Sequence, residues 1–251
     1  MKRRMIVTAI GLGFAVSAAA AEPTGSRTAR NETGVEILKK SQDAMKRVKH
    51  VKYRARFRGD GWVKRFVPDI DGTTISGPRS KWDINRFRSE VELTPRNETK
   101  ALHFTVGCDG DVYFLLDPET KTAYEDMDSA VLGTHGRDLQ RLVMTAFNAD
   151  DPFGKDLEPA RITGEETVEG VPCKIVSLKD EDGTDVAWFI ATTDYLPRRW
   201  RRIVANRQNA DAPPGTTDLT IAELVVNPKL EGDPFKLTVP EGFTKSDDFA
   251  P

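Results

Sequence analysis

Histidine and cysteine are scarce in this 251-residue chain, and the motifs of the common enzyme classes are missing. The three histidines, His50, His103 and His135, are far apart, and none belongs to an H-E-x-x-H helix that would bind zinc. Neither a glycine-rich phosphate loop nor the G-x-S-x-G turn of a serine hydrolase occurs. We therefore expect a protein that is not an enzyme and that has no catalytic residue, no metal ligand and no cofactor.

Only two cysteines, Cys108 and Cys173, are present, and they are 65 residues apart. A disulfide between them would stabilise the fold by about 4 kcal/mol according to the chain-entropy model. Two small buried thiols are the alternative. Sequence does not show whether the two side chains meet, so a disulfide is one of two open interpretations.

An excess of basic residues is missing as well. The first 21 residues contain three of the 37 basic residues and no acidic one, which leaves 34 basic against 39 acidic residues in the remainder. This acidic balance argues against a general binder of nucleic acid or of anionic membranes. With 30% charged and 38% hydrophobic residues, the composition is that of a globular protein.

Long apolar runs are absent except for one at the N-terminus, residues 6–16. Basic residues precede this run and small residues follow it up to Ala21, which is the pattern of a cleaved secretory signal peptide. The rival interpretation is a membrane anchor, but the run is shorter than the ~20 residues that cross a bilayer. We predict a signal peptide over 1–21, a flexible leader over 22–33, and a mature chain without a transmembrane anchor. That chain would be soluble in the periplasm or another extracytoplasmic compartment.

Helical periodicity begins after the predicted leader. Thr33 and Glu36 form a capping box, and Val35, Leu38 and Met45 recur at helical spacing, which predicts an amphipathic first helix. A second amphipathic helix is predicted over Gly136–Phe147 from the same kind of spacing.

The period changes to two at residue 51, where apolar residues alternate with lysine and arginine. Asp109-Gly110 and Asp182-Gly183 lie between apolar runs and predict hairpin turns. Strands are predicted over residues 51–58, 62–67, 82–93 with a β-bulge, 102–107, 112–116, 121–126, 160–163, 171–178, 186–191, 198–205, 219–226 and 235–239.

These elements show neither βαβ alternation nor an internal repeat. The pattern predicts a mainly β (α+β) fold with a single large antiparallel sheet of about eleven strands. We expect the sheet to curve into an incomplete barrel, with the two amphipathic helices capping or filling its concave side.

Three stretches together resemble the LolA-type periplasmic lipoprotein carriers, also described as outer-membrane lipoprotein-sorting proteins. Residues 104–118 resemble the family's strand, Asp-Gly turn and aromatic strand that ends in a proline turn. Residues 139–147 fall where the family has its lid helix, and residues 235–244 resemble its closing strand followed by Pro-x-Gly. The resemblance implies one half-barrel domain over 34–248 with an apolar cavity for acyl chains.

The resemblance has one local departure. Family members have an arginine before the proline that opens a central strand, whereas this chain has Gly77 before Pro78 and Arg79 just beyond. We expect the second helix to act as a lid and to pack on the concave side against Phe104 and Phe114.

The expected function is an exported, monomeric, cavity-bearing carrier or binding protein for a lipid or a lipoprotein acyl chain, with no nucleic-acid partner. One alternative is an envelope protein-interaction or stress-sensing module with a protein partner on the same fold. A second alternative is an enzyme that acts on a small amphiphile. The residues predicted to line the cavity are Tyr53, Phe57, Trp62, Phe66, Trp82, Phe104, Phe114, Leu139, Leu142, Val143, Phe147 and Trp188.

A basic cluster, Arg198-Arg-Trp-Arg-Arg202, allows two interpretations. One is a site for an anionic headgroup or a protein partner, formed by Arg199 and Arg201 and possible also at Arg79. The other is a strand whose long side chains extend into water, since Arg199 and Arg201 share one face and Trp200 lies on the other.

Overall fold

One large sheet dominates the computed structural model, which describes residues 32–126, 138–180, 182–206, 209 and 211–246. An α-helix, α1 (Gly34–Met45), precedes the sheet. The strands of the described residues are β1 Val51–Asp60, β2 Asp69–Gly77, β3 Arg86–Thr94, β4 Leu102–Cys108, β5 Tyr113–Asp117, β6 Thr122–Asp126, β7 Arg161–Val168, β8 Val171–Lys179, β9 Asp185–Ala191, β10 Pro197–Val204, β11 Gly215–Val226 and β12 Thr244–Ser246.

The strand order is β12-β6-β5-β4-β3-β2-β1-β11-β10-β9-β8-β7. Successive strands pair antiparallel on both sides of the central β1–β11 pair, and only the short edge strand β12 lies parallel to its neighbour, β6. The sheet does not close, because β12 and β7 remain its two edges. The predicted fold class, a mostly antiparallel incomplete barrel, is confirmed.

Helix α1 begins with the predicted capping box. The Thr33 hydroxyl accepts a hydrogen bond from the Glu36 amide at 3.2 Å, and the Glu36 carboxylate accepts one from the Thr33 amide at 2.8 Å. The helix buries Ile37, Leu38 and Met45 in the main core. Because a capping box satisfies two otherwise unpaired amides, the start of this helix is encoded locally.

The strand predicted over residues 62–67 is wrong. Residues 61–66 form a 3₁₀ turn, beginning at Gly61 in the left-handed region with φ of 62°, and β1 pairs instead with β2. Strand β2 was not predicted because most of its inner-facing positions are small or polar, among them Gly72, Thr74 and Ser76. These residues leave room for a segment that crosses the sheet.

Two other predicted strands also need correction. β3 begins only at Arg86, and the preceding loop includes Asp83 in the left-handed region with φ of 62°. The change of phase within 82–93 therefore marks the boundary between loop and strand, not a β-bulge. Residues 235–239 form no strand, although Phe235 is buried, and the strand in this region is β12.

The second predicted helix is not continuous where the structure describes it. Gly136 and Arg137 lie outside the described residues, Asp138 and Leu139 are helical, and the chain then forms two 3₁₀ turns, Gln140–Leu142 and Thr145–Asn148. Val143 between them is extended, with ψ of 111°. The two turns belong to a longer segment, residues 138–160, which we call the strap.

Side chains from the two faces of the sheet form separate clusters. The inner face, which carries Tyr53 and Phe57, holds the main core together with α1 and the strap. On the opposite, outer face, Phe189 is the largest member of a smaller buried cluster from β7–β9. No described helix is long and apolar enough to cross a membrane.

The two cysteines are buried, unpaired thiols, so a disulfide between them is not formed. Cys108 belongs to the main core on the inner face, whereas Cys173 belongs to the outer cluster. Their alternation along different strands places them on opposite faces of the sheet, which keeps them apart. Burial raises the pKa of the Cys108 thiol to about 11, and burial also raises the pKa of Cys173.

Both thiols should therefore react slowly in the native protein. Little thiolate exists at pH 8 when the pKa is raised, and thiolate is the reactive form. We expect an aromatic disulfide reagent to detect two thiols rapidly in guanidinium chloride but neither of them rapidly in buffer. Failure to detect any thiol after unfolding would contradict the unpaired state.

Gly72 provides a test of the close packing at β2, where both the neighbouring strand β3 and the strap approach its backbone. A Cβ at this position would overlap the carbonyl oxygen of Glu90 and lie 2.7 Å from Leu142 Cδ1. We expect Gly72→Ala to lower the free energy of unfolding by about 1–3 kcal/mol, as overpacking does. Urea unfolding measures this change. Gly164→Ala is the matched control, because its Cβ would meet only Ile175 Cδ1 at 3.5 Å and should leave stability nearly unchanged.

Candidate functional site

The strap is fixed to the inner face by one buried hydroxyl. Tyr53 Oη donates a hydrogen bond to the Leu142 carbonyl at 3.1 Å and accepts one from the Met144 amide at 2.9 Å. The peptide groups on both sides of Val143 thus bond to a side chain rather than to a helical turn, which explains the interruption between the two 3₁₀ turns. Burial raises the pKa of Tyr53, so the hydroxyl stays protonated and can make both bonds.

Apolar contacts and one further hydrogen bond hold the strap on either side of Tyr53. Leu139, Leu142 and Phe147 are buried in the main core, and the Phe147 ring lies 6.0 Å from the Tyr53 ring. Asn148 Nδ2 donates to Ser76 Oγ on β2 at 2.6 Å. The strap therefore occupies the inner face, where an incomplete barrel would otherwise be open.

A cleft remains between the strap and strands β9–β11. Its larger chamber has a volume of about 270 Å³. The residues that line this chamber from the sheet are Phe57, Trp188, Trp200 and Leu219, and those from the strap include Val143, Met144 and Pro152.

A second chamber of about 230 Å³ shares Pro152, Trp188 and Trp200 with the first. Phe153 closes one side of it, with its ring edge-on to Trp188 at 5.0 Å, and the Trp188 and Trp200 rings are 6.4 Å apart. Aromatic side chains thus line a narrow space that is divided between two chambers. We call the two chambers together the cleft.

The charged residues that line the cleft are Arg141, Asp151, Lys179 and Asp180, and all of them are exposed. Arg141 is exposed, with its guanidinium 4.9 Å from the centre of the Phe57 ring and its Nε donating to Asp138 at 2.7 Å. Lys179 lines the smaller chamber and forms an ion pair with Asp185 at 2.7 Å. The interior suits an apolar chain, and the margin is polar.

A rim pocket of about 960 Å³ lies beyond the cleft along β10. Trp62 and Phe66 line it, with rings 5.8 Å apart, and Trp62 Nε1 donates to the Val204 carbonyl at 3.2 Å. Phe66 is 49% exposed, which is unusual for so large an apolar side chain. Arg202 lines the same pocket.

The outer face has a different character. A groove of about 420 Å³ there is lined by Arg54, Glu90, Glu92 and His103. Such a charged, open surface does not suit an apolar ligand. Among the described residues no group of three or more histidine, cysteine, aspartate or glutamate side chains is arranged to hold a metal ion.

The predicted cavity residues fall into several environments. Phe57, Val143 and Trp188 line the cleft. Tyr53 of the sheet and Leu139, Leu142 and Phe147 of the strap are buried between the sheet and the strap. Phe104 packs against the same main core. Trp62 and Phe66 line the rim pocket and not the cleft.

Two predicted cavity residues are misplaced. Trp82 is 62% exposed in the loop before β3, where Lys81 lies over its ring. Phe114 is on the outer face under Arg88, so the strap does not pack against it. Period-two alternation does not indicate which face of the sheet each residue of β5 occupies, because Phe114, Leu115 and Leu116 are all apolar and all buried.

Trp200 is the principal cleft residue that the predicted cavity set omitted. Four arginines surround it in sequence, and they obscured its role. The available signal was strand alternation, which separates Trp200 from Arg199 and Arg201. Met144, Leu219 and the prolines of the strap gave no such signal.

The arginines predicted to contact a headgroup or partner are occupied within the protein. Arg79 donates to Asp83 and Asn85, at 2.7 and 3.2 Å. Arg199 pairs with Glu166 at 2.8 Å, and Arg201 with Asp218 at 2.6 Å.

Both Arg199 and Arg201 also stack on Phe189, at 4.8 and 5.2 Å from its ring centre. They therefore cover the outer cluster and do not face the cleft.

No family model and no curated protein sequence matches the chain. Among solved structures, it is similar to LprF from Mycobacterium bovis, with 12% identity, a TM-score of 0.49, and coverage of 84% of this chain and 97% of the other. It is also similar to the MucA/MucB complex from Pseudomonas aeruginosa, with 10% identity, a TM-score of 0.42, and coverage of 82% and 61%.

A third similar structure is a putative outer membrane lipoprotein-sorting protein domain from Vibrio parahaemolyticus, with 13% identity, a TM-score of 0.33, and coverage of 80% and 95%. At these identities and TM-scores the similarity concerns the general fold and does not extend to a ligand.

Replacing Tyr53 should show how strongly its hydroxyl holds the strap. Tyr53→Phe removes both hydrogen bonds and leaves the Leu142 carbonyl and the Met144 amide without a partner. We expect the free energy of unfolding to fall by about 1–3 kcal/mol, and proteolysis within the strap to become faster. Urea unfolding and limited proteolysis measure the two effects.

Tyr113→Phe is the matched control for that variant. Tyr113 also contacts the main core, and its hydroxyl makes no hydrogen bond within the described part of the chain. Its replacement should change stability little. Equal losses in the two variants would contradict a special role for Tyr53.

Proposed function

We propose that this protein binds the apolar part of an amphiphile, a lipid or a lipoprotein acyl chain, in the cleft between the strap and the sheet. The observation that carries the proposal is the aromatic lining on the inner face: Phe57, Trp188 and Trp200 surround space that the protein's own side chains do not fill. Large apolar surfaces around unfilled space favour an apolar ligand, because such a ligand is removed from water without loss of hydrogen bonds.

The size of the cleft determines how a ligand would bind. Each chamber is below the ~300 Å³ at which typical ligand pockets begin, at about 270 and 230 Å³. Val143, Met144 and Pro152 of the strap form one wall of the larger chamber. A long acyl chain would therefore displace part of the strap and take over its apolar contacts with the sheet.

The arrangement of the strap supports such a displacement. Its central residues form two short 3₁₀ turns rather than one helix, and Thr145 at their junction is exposed. Short 3₁₀ turns contribute little stability by themselves. The strap can thus leave the sheet without unfolding a long regular element.

Export is part of the proposal. The basic, apolar and small-residue pattern of residues 1–21 supports cleavage by a signal peptidase. A binding protein in an extracytoplasmic compartment could hold a lipid or acyl chain away from water there. Comparing the N-terminal sequence of exported protein with residue 22 would test the cleavage.

Tryptophan fluorescence can locate a bound chain. The protein has four tryptophans, and a fatty acid with bromines at mid-chain quenches only those that it touches. In the variant Trp62→Phe/Trp82→Phe, which keeps Trp188 and Trp200, we expect strong quenching that saturates with the brominated acid. An unbrominated fatty acid of the same length should compete and restore the emission.

A triple variant that keeps only Trp82 is the matched control. Trp82 is exposed and distant in sequence from the cleft strands, so its emission should not change. Equal quenching of both variants would indicate non-specific association. Absence of quenching in the variant that keeps Trp188 and Trp200 would overturn the proposed function.

A further inference from the structure

Arg202 joins the cleft to the rim pocket. It follows Trp200 on the same face of β10, and its register partner on β9 is Val186, which lines the smaller chamber. Arg202 itself lines the rim pocket. A molecule that extended along β10 from the cleft would therefore reach this guanidinium.

The guanidinium of Arg202 has an unused donor. Its Nη2 donates to the Asp182 carboxylate and to Thr184 Oγ1, the latter at 3.1 Å. Its Nε is buried and has no hydrogen-bond partner. Nη1 also forms no hydrogen bond within the described part of the chain, and the side chain is 39% exposed at the rim pocket, so an anionic oxygen there can accept a hydrogen bond from Nη1.

The other arginines of the basic cluster lack this property. Arg198 is buried and pairs with Asp194 at 2.6 Å. Arg199 and Arg201 lie on the outer face with their own carboxylate partners. Arg202 is thus the member of the cluster that faces the same side as Trp200.

Two arginines and two aspartates line the rim pocket, and one of the arginines has no carboxylate partner among the described residues. Arg65 lines the pocket, with its guanidinium 4.8 Å from the centre of the Phe66 ring, and forms no ion pair with a carboxylate in the described part of the chain. Of the carboxylates in the pocket, Asp182 is paired with Arg202 and Asp185 with Lys179. One cation is therefore left without a counter-charge.

We propose that the rim pocket binds the anionic headgroup, a phosphate or a carboxylate, of an amphiphile whose chain lies in the cleft, and that Arg202 is its principal contact. The inference rests on the proposed function and adds the chemical class of the ligand. Asp182 and Thr184 hold the guanidinium in place through Nη2, so Nη1 is oriented before the ligand arrives. Arginine suits this role because its planar fork matches the oxygens of phosphate and carboxylate.

Calorimetric titration with three amphiphiles of equal chain length tests the inference: dodecyl phosphate, dodecanoate and the uncharged dodecyl maltoside, each below its micelle concentration. We expect the wild-type protein to bind at least one of the anionic amphiphiles more tightly than the maltoside. Arg202→Gln should weaken binding of that anion by about tenfold, as expected for loss of a charge-assisted hydrogen bond. Its binding of dodecyl maltoside should not change, which also shows that the variant is folded.

Arg201→Gln is the matched control, because it removes the neighbouring arginine from the outer face. It should retain the preference for the anion. Comparison of dodecyl phosphate with dodecanoate identifies which headgroup the pocket prefers.

Equal affinity of the wild-type protein for charged and uncharged amphiphiles would overturn the role of the rim pocket and leave the cleft as a binding site. An unchanged preference in Arg202→Gln would overturn the role of Arg202. Failure of all three amphiphiles to bind would overturn the inference and the proposed function together.

Discussion

The Tyr53 hydroxyl is the interaction on which the inner face depends. It is buried, and it satisfies one carbonyl and one amide of the strap at the point where helical hydrogen bonds are interrupted. Without it, two backbone groups would be buried without partners, at a total cost of about 1–3 kcal/mol. With it, the strap crosses β1 and β2 in a defined path, and Val143 and Met144 become a wall of the cleft.

The alternation of side chains along the strands assigns different tasks to the two faces. Tyr53 and Phe57 point to the inner face, whereas Arg54, Arg56 and Arg58 between and after them point outward. The outward arginines pair with carboxylates of other strands and turns. Such exposed ion pairs contribute little stability individually, but they keep the outer face soluble while the apolar residues gather on the inner one.

Features that depend on a few neighbouring residues could be predicted, including the capping box at Thr33, the Asp-Gly hairpins and most strands. Features that depend on distant residues could not. The second helix is interrupted because Tyr53, far away in sequence, competes for its backbone groups. In the same way, β2 lacks an apolar pattern because Glu90 and Leu142 pack too closely against Gly72 to leave room for a side chain. Of the candidate site, the aromatic residues of the strands were identifiable, but Phe114 shows that a continuous apolar run does not reveal which face a residue occupies.

If the strap occupies the place of the ligand, as the proposed function implies, stability and affinity are coupled. Each contact that the strap makes with the inner face must be given up when a long chain binds, so a stronger strap lowers the apparent affinity by the corresponding factor. A fully packed inner face would hold the strap too firmly, whereas an empty one would expose aromatic residues to water. The division of the cleft into two small chambers is consistent with an inner face whose packing is intermediate between these two extremes. The polar margin sets a further condition. A ligand that gains an ionic contact at Arg202 would offset part of the free-energy cost of displacing the strap. An uncharged hydrocarbon cannot do so.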